Sequence, residues 1–335
     1  MSSEIDGDRL HAFLSPALGG LVGRPQIERI RGGQSNPTYY VSYEGRRLVL
    51  RKQPPGELLP SAHAVDREYR VISALASTSV PVPRAVLYCN DRAVLGTPFY
   101  LMERLDGRVF HDSTLPGVPA AERRQMYLSM ADTLAALHAV DPVAVGLGDF
   151  GRPGNYFARQ IARWTRQWEM SRTREDAAID RLIAWLPANV PGDDRSTITH
   201  GDYRIGNLMF HASQPRVIAI LDWELSTLGH PLADLAHSCM VWQTAPAEYG
   251  GLAGLPLDEL SLPRQADYEA RYYTAATAGT ARLAPFHLAF ALFRWSVIFE
   301  GIAARAKAGN AAAENATEVG RLSSVFAQRA AAFTG

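Results

Sequence analysis

The chain has little of what marks a secreted, disulfide-bonded protein. Its 335 residues include only two cysteines, Cys89 and Cys239, which are too few for a disulfide framework. We expect both thiols to lie reduced in a hydrophobic core. Because reduced cysteines are typical of the cytoplasm, the sequence predicts that location.

An excess of charge of one sign is also missing. Lys and Arg together number 34, Asp and Glu together number 34, and the formal net charge is zero. Proteins that bind nucleic acid or an anionic membrane usually carry an excess of positive charge, so we expect neither partner. Lysine is nearly absent, because Lys52 and Lys307 are the only two and arginine fills the other basic positions.

Long uninterrupted hydrophobic runs are absent as well. The start, MSSEIDGDRLHAFL, holds three acids and no basic region leading into an apolar one, which predicts no signal peptide. The most apolar late segment, residues 283–302, is interrupted by His287, Arg294 and Glu300. We therefore expect no transmembrane span.

The chain is long enough, at 47% hydrophobic residues, for two lobes that each have a core. Residues 26–51 alternate in the manner of strands, with a hairpin turn at Glu44-Gly45. Later apolar residues recur at helical spacing. The predicted helices span residues 8–18, 61–76, 120–140, 263–277, 285–307 and 311–333, and a further helix carries Trp164 and Trp168 one turn apart.

The stretch 198–235 holds the polar residues that predict chemistry. Asp202 follows His200-Gly201, Asn207 comes five residues later, and Asp222 ends an apolar run. We predict two short strands, 207–211 and 217–221, joined by a turn at 212–215. Such a hairpin brings the residue before its first strand close to the residue after its second, so the three side chains are expected to converge. Hard oxygen ligands of this kind suit Mg²⁺.

The same three residues also have a purely structural interpretation. Asp202 and Asn207 would then cap a loop, and Asp222 would be the N-cap of a helix. The number of independent spacings that agree favours the catalytic interpretation.

The spacing H-x-D-x-x-x-x-N resembles the catalytic loop of protein kinases. A glycine between His and Asp, and an acidic tail after the hairpin, make the stretch more similar to the aminoglycoside phosphotransferase family. That tail consists of Asp222, Gly229, Asp234, Leu235 and Ala236.

This resemblance implies roles for the polar residues of the stretch. Asp202 would orient the acceptor hydroxyl and accept its proton, while Asn207 and Asp222 would hold Mg²⁺ on the phosphates of ATP. Asp234 would tie the loop down from the next helix. Arg204 lies at the offset where many protein kinases place a lysine that faces the transferred phosphoryl group, although an ordinary surface arginine is an equal alternative.

The same resemblance assigns the nucleotide-binding residues of the first lobe. A glycine pair and the polar residues after it would form a loop over the nucleotide, with an ordinary hairpin turn as the alternative. A strand would end in a cation for the α and β phosphates, held by a helix glutamate, and a linker strand would bind adenine through its backbone. The residues so assigned are Gly32, Gly33, Ser35, Asn36, Arg51, Lys52, Glu68, Glu103 and Leu105.

The phosphate-binding cation stays open between two neighbouring residues. The family has lysine at the strand end, whereas the register of this chain puts Arg51 in that place. Period-2 alternation points Arg51 and Val49 to one face and Lys52 and Leu50 to the other. We favour Arg51 and keep Lys52 as second choice, since the prolines that follow could turn it inward. A solvated Glu68 is the alternative to an ion pair with this cation.

Residues 146–151, GLGDFG, imitate two nucleotide-binding motifs. They satisfy G-x-G-x-x-G, but no strand and nucleotide-binding helix flank them as a Rossmann turn requires. They also spell D-F-G, but some fifty residues before the H-x-D loop instead of after it. Both interpretations are therefore rejected. The histidines likewise lack a credible metal-ligand spacing, namely His200, His211, His230 and His237.

Three motifs, VLRKxPPG, LGDFGRP and HGDYRIGNLMF, are most similar to the kinase-like domains fused to certain acyl-CoA dehydrogenases and to their free-standing bacterial relatives. This resemblance implies a small-molecule acceptor with a hydroxyl, either a hydroxyacyl-CoA or another hydroxylated carboxylate. Residues 152–181 carry seven arginines against four acids, which agrees with an anionic acceptor and disfavours a polycationic aminoglycoside.

The resemblance thus implies a two-lobed protein-kinase-like α+β fold with ATP and Mg²⁺ as cofactors. Residues 1–104 would form a β-rich nucleotide-binding lobe, and residues 105–335 a mainly helical lobe for catalysis and acceptor binding. One alternative is a catalytically weak kinase-like protein that binds a nucleotide or an acyl ligand, favoured by Arg51 in place of lysine. Another is an aminoglycoside kinase. The sequence leaves the oligomeric state open.

Overall fold

The computed structural model describes residues 5–30, 36–56, 63–277, 279–308 and 316–335. The chain divides into two compact units, of which the first consists of Met1–Gly107 with Ala219–Glu224 and the second of Arg108–Ile218 with Leu225–Gly335. The sequence-based division after residue 104 had assigned 219–224 to the second lobe. This segment instead packs with the first unit, where the Ile220 N–H donates to the Pro81 carbonyl at 2.9 Å.

A five-stranded antiparallel sheet forms the body of the first unit. Its elements are helices α1 (Gly7–Leu18), α2 (Val65–Leu75) and α3 (Arg92–Leu95) and strands β1 (Gln26–Arg29), β2 (Thr38–Tyr43), β3 (Arg46–Lys52), β4 (Ala85–Cys89) and β5 (Phe99–Glu103). The strand order is β1-β2-β3-β5-β4. The predicted turn joins β2 to β3, and Gly45 has the φ of 74° that glycine adopts without strain.

Both faces of β3 are covered by helices. Leu50 belongs to a core cluster with Leu10 and Leu14 of α1, so α1 covers that face of the strand. Arg51 lies on the opposite face, against Glu68 of α2. The predicted period-2 alternation of this strand is therefore confirmed.

Helices dominate the rest of the chain. They are α4 (Ala120–His138), α5 (Tyr156–Ser171), α6 (Ala177–Ala188), α7 (Pro231–Cys239), α8 (Gln265–Ala275), α9 (Pro285–Lys307) and α10 (Ala316–Ala331). The strands are β6 (Gly107–Val109), β7 (Thr197–Thr199), β8 (Leu208–His211), β9 (Val217–Ile220) and β10 (Thr227–Gly229). β7 pairs with β10 in an antiparallel ladder, and β6, β8 and β9 form a three-stranded sheet with β8 in the middle.

The predicted hairpin needs a small correction at each end. β8 begins at Leu208 instead of 207, because Asn207 ends a short 3-10 turn, Ile205–Asn207. β9 ends at Ile220, one residue earlier than predicted. The six helices predicted with bounds are present with ends that differ by a few residues, and the helix predicted around Trp164 and Trp168 is α5. The predicted residues 61–62 and 311–315 lie outside the described part of the chain.

Helix α9 is the most apolar element of the second unit. Its length and mean hydropathy would allow it to cross a membrane, but 72% of its most apolar 18-residue window is buried inside the structure. The core helix of a globular unit has the same properties, so this single helix is weak evidence for a span. Phe286 and Phe290 of α9 pack edge to face on Phe157 of α5, with ring centroids 5.1 and 5.2 Å apart.

A buried histidine in this aromatic cluster makes stability depend on pH. Burial lowers the pKa of His287 to about 4, and its Nδ1 accepts the Ala284 N–H at 2.9 Å. An unfolded histidine binds a proton near pH 6.5, so between pH 6.5 and about 4 the unfolded state holds the extra proton. We therefore expect the free energy of unfolding to fall by roughly 1 kcal/mol per pH unit through this group as the pH drops across that window.

Denaturant titrations of the wild type and of His287→Gln at several pH values measure this contribution. The variant should lose part of the slope of unfolding free energy against pH between 6.5 and 4. Equal slopes in both proteins would show that His287 does not carry the effect.

Candidate active site

The loop His200-Gly201-Asp202 leaves the end of β7 through a conformation that requires glycine. Gly201 has a φ of 85°, and a Cβ added there would lie 2.6 Å from the carbonyl oxygen of Leu225. A side chain at this position would therefore meet both backbone strain and a steric clash. The glycine lets the chain turn sharply and brings Asp202 to the start of the Ile205–Asn207 turn.

Asp234 of α7 holds the backbone of this loop by hydrogen bonds. Its carboxylate accepts the backbone N–H groups of His200 at 2.5 Å and Gly201 at 2.9 Å, and His138 Nε2 lies 3.5 Å away. Burial would raise the pKa of Asp234, but His138, His200 and the Gly201 N–H stabilise the charged form and hold the pKa below its ordinary value. The predicted structural role of Asp234 is therefore confirmed.

Three side chains fix the carboxylate of Asp202. Asn207 Nδ2 donates to Asp202 Oδ2 at 2.7 Å and to the Asp202 carbonyl at 2.9 Å. His237 Nε2 lies 3.0 Å from Asp202 Oδ1, and Arg204 Nε lies 3.3 Å from the same oxygen. The sequence-predicted base and its predicted asparagine and arginine neighbours thus come together in one cluster, with His237 as an addition.

Burial alone would raise the pKa of Asp202. The hydrogen bond from His237 and the charge of Arg204 outweigh burial and hold the pKa of the carboxyl well below its ordinary range. His237 contributes as a neutral donor, because burial lowers its own pKa. Asp202 is therefore an ionised carboxylate at neutral pH, ready to accept a hydrogen bond from a hydroxyl.

Sequence reasoning missed His237 because a lone histidine has no recognisable spacing to a metal or a nucleophile. The available signal was its position three residues after Asp234 in the same helix. Residues at i and i+3 share one helix face, so a helix that ties down the loop with Asp234 also presents His237 to that loop.

A cavity of about 80 Å³ lies in the second unit next to this cluster. Arg204 and His237, which both contact Asp202, form part of its wall. The cavity is smaller than pockets for drug-sized ligands, which measure roughly 300–1,000 Å³, so it suits only the end of a larger molecule. Most of its other lining is aromatic or aliphatic, including Met130, Tyr249, Trp295 and Phe326.

In the first unit, Arg51 joins two acids. Its Nε lies 2.8 Å from Glu68 Oε2, an ion pair without the alignment of a hydrogen bond, and its NH2 group donates to Asp222 Oδ1 at 2.6 Å. Glu68 is 1% exposed, and burial raises its pKa to about 7 against the attraction of the Arg51 guanidinium. The predicted ion pair between the strand cation and the helix glutamate is present, with Arg51 as the cation.

Lys52 points elsewhere, although it is the next residue. Its Nζ donates to the Leu95 carbonyl at 2.9 Å, at the end of α3. The prolines that follow therefore do not turn Lys52 toward Glu68, and the two candidate cations have different surroundings.

Asn36 has a buried position beside the same glutamate. Its Nδ2 donates to Glu68 Oε1 at 2.6 Å, and its Oδ1 lies 3.1 Å from His63 Nδ1. These contacts make Asn36 a support for Glu68, whereas its predicted contact with the nucleotide stays a prediction. The other residues of the predicted loop, Gly32, Gly33 and Ser35, lie outside the described residues.

Glu103 and Leu105 lie where β5 leaves the sheet. The Glu103 N–H donates to the Arg84 carbonyl and the Arg104 N–H to the Arg47 carbonyl, at 2.9 and 3.2 Å. A contact between Glu103 and adenine would therefore use the Glu103 carbonyl. Leu105 follows in a loop, and its predicted contact with adenine stays a prediction.

The two predicted metal ligands offer oxygen atoms that suit Mg²⁺. Asn207 Nδ2 donates to Asp202, so Oδ1 is the atom of this amide that can bind a cation. Asp222 has a φ of 64° and is about a third exposed. Its Oδ1 accepts the hydrogen bond from Arg51, so Oδ2 is the oxygen that can bind a cation. Among the described residues, no group of three or more His, Cys, Asp or Glu could hold a metal ion.

Asp222 belongs to the first unit, whereas Asp202 and Asn207 belong to the second. The predicted convergence of these three residues therefore joins the two units and stays a prediction.

Residues 149–151, the D-F-G sequence that was rejected as a metal site, pack against β10. Phe150 is fully buried, and a Cβ on Gly151 would lie 2.6 Å from the Leu228 nitrogen. Close packing accounts for that glycine.

Comparison with known proteins decides the family. The profile of the phosphotransferase enzyme family, APH, matches residues 26–286, most of the chain. The chain belongs to this phosphotransferase family. The resemblance inferred from its motifs is therefore confirmed.

Relatives of this phosphotransferase-family protein include much longer chains. Acyl-CoA dehydrogenase family member 10 of Mus musculus is 40% identical over 330 residues, which cover 97% of this chain and 31% of the mouse protein. The chain thus spans about a third of the length of that relative.

Solved structures confirm the two-lobed α+β kinase-like fold. A crystal structure from Ralstonia eutropha JMP134, provisionally named an aminoglycoside phosphotransferase, has a TM-score of 0.90 at 42% identity and covers 98% of both chains. Spectinomycin phosphotransferase in complex with ADP and spectinomycin has a TM-score of 0.65 over 99% of both chains. At 12% identity, the second likeness shows the fold alone.

The different surroundings of Arg51 and Lys52 lead to a prediction for this phosphotransferase-family protein. Arg51, held by Glu68 and Asp222, is the cation predicted to contact the α and β phosphates of ATP. Arg51→Met removes that contact, and a charged hydrogen bond contributes about 1.5–3 kcal/mol. We therefore expect ATP to bind roughly 10- to 100-fold more weakly, measured by titration with a fluorescent ATP analogue.

Lys52→Met is the matched control and should change the affinity by less than about threefold, because the Lys52 ammonium group is directed to the Leu95 carbonyl at the end of α3. Arg51→Lys should recover part of the affinity by restoring the charge. A larger loss in Lys52→Met than in Arg51→Met would reverse the assignment.

Proposed function

We propose that the protein is an ATP- and Mg²⁺-dependent phosphotransferase that moves the γ-phosphoryl group of ATP to a hydroxyl of a small molecule. The observation that carries this proposal is the fixed Asp202 carboxylate, held by Asn207, Arg204 and His237 beside a cavity. Membership of the phosphotransferase family supports it.

Asp202 would act on the acceptor hydroxyl. As an ionised carboxylate it accepts the hydroxyl hydrogen bond, orients the oxygen and takes the proton as the bond to phosphorus forms. A strong base is not required, because a loose phosphoryl-transfer transition state delays proton transfer. Arg204 is 40% exposed beside Asp202, and its charge would stabilise the equatorial oxygens of the transferred group.

The first unit would hold the nucleotide. Arg51 would contact the α and β phosphates. Asn36 would support Glu68 through the hydrogen bond that it donates to it. For Gly32, Gly33 and Ser35 we keep the predicted contact with the phosphates as part of the proposal. The Glu103 carbonyl and the Leu105 N–H have the acceptor and donor that the amino and ring nitrogen atoms of adenine require. Lys52, the second choice for the phosphate contact, donates to the Leu95 carbonyl.

Asn207 Oδ1 and Asp222 Oδ2 would hold Mg²⁺ on the phosphates. When bound, the ion would neutralise charge on the β and γ phosphates. Arg51 also contacts Asp222 and would keep that carboxylate in place.

For the acceptor we propose an anionic, hydroxyacyl-CoA-type molecule. The small cavity would admit its hydroxyl-bearing end, and the aromatic and aliphatic wall suits a short hydrocarbon segment. Arg294 lies with its guanidinium 5.6 Å from the Trp164 ring centroid, and its buried Nε has no hydrogen-bond partner among the described residues. Arg163 lies over the same ring at 5.3 Å, so two cations flank the Trp164 indole.

A second candidate is a kinase-shaped protein that binds a nucleotide or an acyl ligand without transferring phosphate. Arg51 in place of the family lysine favours it. A third is an aminoglycoside kinase, since one neighbour in fold binds spectinomycin. We also propose a cytoplasmic location, where the two buried cysteines, Cys89 and Cys239, would stay reduced.

The test is an acceptor screen with ATP labelled on the γ-phosphate. Hydroxyacyl-CoA thioesters, the corresponding free hydroxy acids and aminoglycosides are compared at equal concentration, and phosphate esters are identified by mass spectrometry. We expect transfer to the anionic acceptors. Transfer to aminoglycosides alone would overturn the acceptor class, and no transfer to any hydroxyl would favour the binding protein.

A further inference from the structure

His237 is buried between Asp202 and a tryptophan. Trp295 Nε1 lies 3.0 Å from His237 Nδ1, and His237 Nε2 lies 3.0 Å from Asp202 Oδ1. The imidazole and indole rings are nearly parallel, at 26° with centroids 5.7 Å apart. The three side chains form one chain of hydrogen bonds that ends at the carboxylate of the proposed base.

The chemistry of the indole fixes the tautomer of the histidine. An indole N–H can only donate, so His237 Nδ1 must accept. A neutral imidazole carries one hydrogen, which must therefore lie on Nε2, where it donates to Asp202. In the reverse tautomer, the Nδ1–H of His237 would face the indole N–H, so two donors would meet. Its unprotonated Nε2 would face the Asp202 carboxylate, so two acceptors would meet.

We propose that His237 is a positioning residue for Asp202, and that Trp295 holds it in the Nε2–H tautomer. This role for His237 rests on the proposed function. Each oxygen of Asp202 has its own donor, His237 Nε2 for Oδ1 and Asn207 Nδ2 for Oδ2. The orientation of the carboxylate is then set before an acceptor binds, and its remaining lone pairs serve the acceptor hydroxyl.

Burial keeps His237 neutral, although two acids lie beside it. Burial lowers its pKa, Asp202 and Asp234 oppose that effect, and Arg294 of α9 adds to it. Arg204 also faces this cluster, with its Nε 3.3 Å from the same Asp202 oxygen that His237 contacts. Without the indole N–H, Nδ1 could take a proton near neutral pH, and an imidazolium would bind Asp202 more tightly and weaken it as an acceptor of the hydroxyl proton.

The deciding variant is Trp295→Phe, studied in the full chain by ¹⁵N NMR with labelled histidine. In the wild type, His237 should show the Nε2–H tautomer and no titration between pH 8 and 6, whereas in the variant it should show mixed tautomers and titrate in that range. Trp242→Phe is the matched control, because it also removes one indole N–H of the same unit, which donates to the Pro263 carbonyl. It should leave the His237 signals unchanged.

Kinetics provide the second readout. Trp295→Phe should lower kcat roughly tenfold more at pH 6 than at pH 8, with little change in KM for ATP. His237→Leu should lower kcat at all pH values, and His237→Gln, which keeps a donor, should recover part of it.

Unchanged tautomer and titration in Trp295→Phe, or equal kcat values in His237→Leu and the wild type, would overturn the inference. The NMR result does not depend on turnover. Absence of phosphoryl transfer by the wild type, with the NMR result as expected, would therefore count against the proposed function alone and leave the fixed tautomer standing.

Discussion

Asp202→Asn should lower kcat for phosphoryl transfer by about 10²- to 10⁴-fold, the range usual for loss of a general base. The carboxamide keeps the shape of the side chain but cannot accept the hydroxyl proton. Asn207 Nδ2 and His237 Nε2 both donate to Asp202 in the wild type. The NH2 group of the new amide would face one of these two donors, so one hydrogen bond would be lost. The measurement is the rate of phosphate-ester formation at saturating ATP and acceptor.

Asp258→Asn is the matched control for this substitution. Asp258 pairs with Arg264 on the surface of the same unit, with both side chains mostly exposed. It should leave kcat unchanged, since surface ion pairs contribute little. A kcat for Asp202→Asn within a few-fold of that control would remove Asp202 from the role of base.

Asp234→Asn should have the largest effect on stability. The buried carboxylate of Asp234 accepts the His200 and Gly201 N–H groups, and an amide nitrogen in place of one oxygen leaves a buried N–H without an acceptor. Breaking a buried charged interaction on one side costs about 3–5 kcal/mol. We expect a loss of that order in unfolding free energy, measured by denaturant titration, and a fall in kcat because the loop that carries Asp202 is released.

The comparison variant is Asp132→Asn, which removes the exposed partner of Arg271 in the same unit. It should cost less than about 1 kcal/mol. Similar losses in both variants would mean that the ties from Asp234 to the loop are not what stabilises it.

The sequence predicted the H-G-D loop well because its geometry depends on residues a few positions apart. Gly201 is needed for the sharp turn before Asp202, and one short 3-10 turn, which begins after Asp202, ends at Asn207. The i to i+5 spacing is therefore enough to bring Asn207 Nδ2 onto Asp202. The same locality explains why alternation along β3 correctly separated Arg51 from Lys52.

Long-range partners were harder to predict. Trp295 lies 58 residues after His237, and no local pattern connects an indole in a hydrophobic helix with a histidine in another. Trp295 lies in the hydrophobic helix α9, yet its indole N–H donates to His237, which in turn contacts Asp202. The packing of 219–224 with the first unit likewise depends on the Ile220 contact with Pro81, which is 139 residues away in sequence.

The choice of acceptor rests on less local information still. An excess of arginine in residues 152–181 indicated an anionic ligand, but Arg159 spends its NH2 group on the Arg152 carbonyl of the preceding loop. Arg294, whose Nε has no hydrogen-bond partner among the described residues, lies outside that segment and did not enter the count. Only the structure separates arginines that hold the fold from those that can meet a ligand.

Transfer of label from ATP carrying ³²P at the γ position to a hydroxylated acceptor tests the central claim most directly. The wild type should form a labelled phosphate ester that requires Mg²⁺, and Asp202→Asn should form almost none. A protein that binds ATP but yields no labelled ester with any hydroxylated acceptor, or that labels equally well without Asp202, would contradict the account.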